Sequence, residues 1–131
     1  MLDRFPPFAL VALGGMFGAI ARYWISGYYR NSDYPYGTLI VNILGSGMLG
    51  FLVTLYSLNV MDNNWLLLLG TGFMGSMTTM STFVVETMRL GENAISLSFT
   101  NILGTLLFVF LSAYIGQALA IYYVNKGAWL R

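Results

Sequence analysis

The chain has 131 residues, 57% of them hydrophobic and only 8% charged, with a formal net charge of +1, and its mean hydropathy is +0.70. Soluble domains carry about a quarter of their residues as Asp, Glu, Lys and Arg, so this composition excludes a water-soluble module and leaves an all-α membrane protein with one domain over residues 1–131. Cysteine and histidine are both absent, which removes disulfides, thiolate metal sites and the commonest general base and proton shuttle, and so argues against an enzyme.

Asp3 and Arg4 open the chain, and no small-residue cleavage site follows, so the N-terminus does not read as a secretory signal. Charges divide what remains into uncharged runs over residues 5–21, 34–61, 63–85 and 93–125. A spanning helix needs about 20 apolar residues, or about 17 at the short end, so each run supports one and four transmembrane helices are predicted. The first continues past Arg22 toward Tyr29 and carries Gly14, Gly15 and Gly18. Gly14 and Gly18 form a small-xxx-small step, which lets helix backbones approach closely. Asn31-Ser32-Asp33-Tyr34-Pro35 marks the first loop. On the second helix Thr38 and Asn42 are i and i+4 and share a face, with Gly45, Ser46, Gly47 and Gly50 beyond them.

Asp62-Asn63-Asn64 marks the second loop, and the third helix then runs through Gly70, Gly72 and Gly75 into the hydroxyls of Ser76, Thr78, Thr79, Ser81 and Thr82. Each Gly weakens a helix interior by about 1 kcal/mol relative to Ala, so an interruption in mid-membrane is expected here. Carbonyls and amides freed by it are tolerable only inside protein or beside a watery cavity. Freed carbonyls also suit a small hard cation. Gly91-Glu92-Asn93 is predicted as the third loop, and the fourth helix carries Ser98, Asn101 and Thr105 at i, i+3 and i+7. Short loops make consecutive helices antiparallel neighbours. Tyr28, Tyr29, Tyr34, Tyr36, Trp65, Tyr122, Tyr123 and Trp129 fall near the inferred helix ends, as an interfacial aromatic belt does.

Four helices put Arg4, Lys126 and Arg131 on one side of the membrane and Arg30 and Arg89 on the other, where Arg22 can also snorkel. The balance removes the usual topological bias. Such a chain can insert both ways, and two opposite copies can pair; alternatively, a few loop charges are simply uninformative. The three polar stripes are open to two readings as well. They are either interhelical glue, worth about 0.6 kcal/mol per bond, or a polar pathway whose uncharged donors replace the water shell of a small anion without holding it too tightly. The rim of the Phe83 ring, the positive side of its quadrupole, adds a further surface for an anion.

GGMFGAIARY (residues 14–23), GTLIVN (37–42) and GFMGSMTTMSTF (72–83) with Glu86 resemble the hallmark stretches of the CrcB/Fluc fluoride channels, in order and over essentially the whole chain. The resemblance implies a dual-topology antiparallel homodimer in the bacterial inner membrane, with two pores exporting fluoride passively from the cytoplasm. Its implied partners are fluoride, a second copy and the bilayer, with no nucleic acid. It also implies a sodium ion at the dimer centre, held by backbone carbonyls that map onto Gly75 and Thr78 of each copy. By position Asn42 matches the family's pore asparagine, Phe83 its second pore phenylalanine, and Ser81 and Thr82 the adjoining hydroxyl track. Arg22 and Glu86 match its first-helix arginine and third-helix glutamate, as vestibule or structural charges. Asn101 and Thr105 occupy fourth-helix places that are usually polar.

Two positions depart from the family pattern. Met80 stands where TTFSTF has the first pore phenylalanine, and a thioether lacks the positive ring rim. Gly47 replaces a residue that is often bulky and is expected to leave space beside Asn42. Two other function classes stay in view. A small proton-coupled multidrug antiporter needs a membrane-buried carboxylate, and none lies between Arg4 and Arg30. A structural membrane subunit needs no polar pathway at all.

Overall fold

The computed structural model describes residues 2–128, so Trp129 and Arg131 lie outside the described residues. Every element among the described residues is helical. After a short 3-10 turn at Leu2–Arg4, helix α1 runs over Pro7–Tyr28 with Pro7 at its start, where a missing N–H costs nothing. Helix α2 covers Tyr36–Ser57, and the chain turns back through Asn59, whose φ of 57° suits an asparagine in a tight reversal.

The third span is broken, as expected. Its first half, α3, occupies residues 63–77: an α-helical start at Asn63–Trp65, a wide π winding over Leu66–Met74 and a last α turn at Gly75–Met77. Thr78 and Thr79 are extended, with φ/ψ of −76°/155° and −150°/120°. The second half, α4, is Met80–Asn93. Here the expected third loop is corrected, because Gly91, Glu92 and Asn93 are helical and the corner shrinks to Ala94. Charges at Arg89 and Glu92 end the hydrocarbon-compatible run, but they favour helix and do not end it. Helix α5 then extends over Ile95–Ala128. Four spans, Pro7–Tyr28, Tyr36–Ser57, Asn63–Asn93 and Ile95–Gly127, are long and apolar enough to cross a membrane, and the chain reads as a multi-pass membrane protein.

Close backbone packing holds two helix pairs. A Cβ on Gly14 would overlap the Leu68 carbonyl and one on Gly18 the Phe73 carbonyl, so the small-xxx-small step of α1 seats directly on α3. Between α2 and α5, a Cβ on Gly116 would overlap the Gly47 carbonyl, and Ser112 Oγ donates to Ile43 O at 2.7 Å. Gly47 therefore faces Ser112 at this crossing, and the space it leaves is filled by α5 rather than lying beside Asn42. Large apolar side chains such as Phe8, Trp24, Phe110 and Tyr114 point outward, as lipid contact requires. Among the described residues the buried polar side chains are Thr38, Asn42, Thr79, Thr87, Asn101 and Thr105.

Candidate functional site

The site is built around the break. Gly75 weakens the helix and β-branched Thr78 and Thr79 are poor helix formers, while α2 offers the chain a better set of partners. Asn42 Nδ2 donates to Thr79 O at 3.0 Å, and Thr79 N–H donates to Asn42 Oδ1 at 2.8 Å. One buried side-chain amide thus pairs with a backbone residue much as a neighbouring β-strand would. Gly45 permits the approach, since a Cβ there would overlap Thr78 Cγ2.

Thr79 also caps α4: its Oγ1 accepts from Thr82 N–H at 3.3 Å and donates to Thr82 Oγ1 at 3.0 Å. These two sets of bonds have a shared consequence. The amides due to the Gly75 and Thr78 carbonyls in a continuous α-helix are those of Thr79 and Thr82. They go instead to Asn42 Oδ1 and Thr79 Oγ1. Both carbonyls lose their helical partners, which is the donor chemistry a hard cation takes. The opposite polarity stands across the gap, where the first amides of α4 form a partial positive end.

Two cavities meet at Thr79. The smaller, about 190 Å³, is lined by Asn42, Ser46, Thr78, Thr79, Met80, Phe83 and Thr105, closed by Leu106 and Val109. No charged group lines it. The larger, about 1260 Å³, opens outward between the ends of α1, α2 and α4. Its wall carries Arg22, Arg30 and Arg89 against Asp33 and Glu86, with Thr38, Thr79 and Thr82 also among its lining. Thr38 Oγ1 and Glu86 Oε2 are buried there without hydrogen-bond partners. Tyr34, on the loop at this mouth, has its pKa raised by burial and by neighbouring Tyr36.

The expected residues therefore divide between places. Asn42, Met80, Phe83 and Thr105 meet at the small cavity, and Arg22, Thr38, Thr82 and Glu86 at the large one. Phe83 is 6% exposed, whereas Met80 is 66% exposed, and Ser81 lies on the same outer face on neither cavity wall. Gly75 is also exposed and Thr78 half-buried. Asn101 lines neither cavity: its Nδ2 donates to Thr87 Oγ1 at 2.7 Å and its Oδ1 accepts from Thr105 Oγ1 at 3.4 Å. Sequence reasoning missed Ser46 and Thr87 as parts of this constellation. Each stands four residues after a named residue, Asn42 and Phe83, so helical spacing puts it on the same face, although spacing alone does not give the contacts it makes across helices.

Comparison with known proteins gives a consistent picture. A family model described as CrcB-like protein, Camphor Resistance (CrcB), matches residues 9–117. The fluoride-specific ion channel FluC of Oceanobacillus iheyensis is 41% identical over 116 residues, covering 86% of this chain and 90% of that protein. Fluoride-specific ion channel FluC 1 of Methanosarcina acetivorans is 39% identical over 126 residues, 93% of this chain and 94% of its own. FluC of Pyrococcus horikoshii is 43% identical over 115 residues, 86% and 94% respectively.

Proposed function

The chain belongs to the CrcB-like family, and from that premise we propose that it is a fluoride-selective passive channel through which fluoride leaves the cytoplasm across the inner membrane. The observation that carries this reading is the small cavity, whose polar lining is hydroxyl and amide with the Phe83 ring beside them and no charged group. The arginines of the mouth draw an anion toward it. Thr38 Oγ1 offers an unspent hydroxyl, and Thr82 Oγ1, which accepts from Thr79, keeps its own hydrogen free. Asn42 spends one amide hydrogen on Thr79 O and retains the second for the anion. In the small cavity the Thr105 hydroxyl and the rim of Phe83 complete the replacement of water. Uncharged donors release the ion as readily as they take it.

The exposed face supports a further part of the proposal, an antiparallel homodimer with two pores. On a single copy Gly75, Met80, Ser81 and Thr82 are exposed within the third span, and hydrocarbon offers those hydroxyls and that broken backbone nothing. A second, inverted copy covers them, in keeping with the balanced Lys and Arg on the two sides. The freed Gly75 and Thr78 carbonyls on this face fit a sodium ion shared between copies, which would supply a fixed positive charge and bind the two breaks together.

Fluoride efflux from proteoliposomes, measured beside chloride efflux and cationic dye uptake, tests the proposal. Fast fluoride loss with chloride retained is expected, and fluoride-tight vesicles reject it. Buried Glu86 Oε2 is the one observation favouring a proton-coupled antiporter, and dye uptake driven by a pH gradient without fluoride flux decides for that reading.

A further inference from the structure

Thr87 lies on α4 one turn beyond Phe83, is 8% exposed, and lines neither cavity. Its hydroxyl sits between two partners, 2.7 Å from Phe83 O and 2.7 Å from Asn101 Nδ2, while its own carbonyl accepts from Ser98 Oγ at 2.7 Å. The first partner sets the direction of the whole string. A carbonyl oxygen only accepts, so the single Thr87 hydroxyl hydrogen is committed to Phe83 O and the oxygen must accept from Asn101. Asn101, 1% exposed, therefore turns its NH2 to Thr87 and its Oδ1 to Thr105. The Thr105 bond to that Oδ1 is 3.4 Å, long beside the roughly 2.7–2.8 Å preferred between such oxygens. It is the weak link of the string, and it ends at the small cavity.

We infer that Thr87 is a positioning residue for anion passage. By fixing the Asn101 amide it keeps Oδ1 as the resting acceptor of Thr105, which lends its hydrogen to an anion in the small cavity and takes the bond to Asn101 back when the anion leaves. The Thr105 hydrogen is then satisfied both before and during transit. This inference rests on the channel reading above.

The test compares fluoride efflux, and the fluoride concentration giving half-maximal flux, for the unsubstituted chain, Thr87→Val and Thr87→Ser in proteoliposomes. Valine keeps the shape but leaves the Asn101 NH2 without its acceptor. Efflux is expected to fall about tenfold with a changed half-maximal concentration, whereas serine stays within about twofold. Size-exclusion elution matching the unsubstituted chain verifies assembly, and Thr87→Ala replaces valine if valine does not assemble. Hydroxyl-free variants within about twofold of the unsubstituted chain, or a serine variant as slow as valine, overturn the inference. An unsubstituted chain that passes no fluoride overturns the channel reading instead.

Discussion

The two halves of the broken span are held in place by different physics. Helix α3 is seated by shape: the Leu68 and Phe73 carbonyls sit where side chains on Gly14 and Gly18 would be, so its register on α1 is set by backbone touching backbone. Helix α4 is tethered by polar bonds, from Asn42 to Thr79 at its start and from Ser98 and Asn101 to Thr87 farther along. The half that carries most of the proposed ion path thus depends on the same kind of group that the path itself needs. Where α3 crosses α1 at Gly14 and Gly18 there is no room for an added atom, whereas the tethers of α4 depend on their donors and acceptors.

That contrast can be broken first on its steric side. Gly18→Leu forces a side chain into the Phe73 backbone, and overpacking costs about 1–3 kcal/mol or more. The variant is expected not to elute as one well-folded species in detergent. Gly27→Ala, at a glycine with nothing within 4 Å, should elute unchanged. Equal behaviour of the two would show that the α1 and α3 backbones are not in contact.

On the polar side, Asn42→Leu keeps the bulk but strands the N–H and C=O of Thr79, at about 1–3 kcal/mol for each buried group. Assembly should survive, because α3 remains seated on α1, while fluoride efflux falls at least about tenfold. A variant with full efflux would mean that the break holds without its amide partner.

The smallest effect sharpens the comparison within α4 itself. Met80 lines the small cavity yet is 66% exposed and has no tether to keep. Met80→Phe is therefore expected to leave assembly and melting temperature unchanged and to raise efflux a few-fold, since a ring rim replaces a thioether. Identical rates for the two chains would remove the ring from the account.

Much of this contrast is legible in the amino-acid order. The glycine step of α1, the four uncharged runs and the helix-weakening approach of Gly70, Gly72 and Gly75 to the hydroxyls all correspond to what the helices do. Thr38, Asn42, Asn101 and Thr105 stand out as polar positions in apolar runs and are indeed buried. What is not legible depends on bonds across helices. Nothing in composition marks the π winding of residues 66–74, nor the choice of Thr79 rather than Thr78 as the partner of Asn42. Thr87 sits among Glu86, Met88 and Arg89 and reads as an interfacial residue. Its importance lies in Asn101, which is close only after α4 and α5 fold back on each other at Ala94. Charge likewise marks where oil ends rather than where a helix ends, which is why the expected third loop became a one-residue corner.

The length of α5 carries a last consequence. Its 34 residues span about 51 Å at 1.5 Å each, against a hydrocarbon slab of about 30 Å. The excess length is taken up by tilt and by turns that run into the interfacial zone, where Tyr122, Tyr123, Asn125 and Lys126 are exposed near the C-terminal end. Because the chain has no native cysteine, a thiol introduced at that end is a clean beacon: in intact cells an impermeant dye lights about half of the beacons if copies insert both ways, and every one or none if all chains share a single heading.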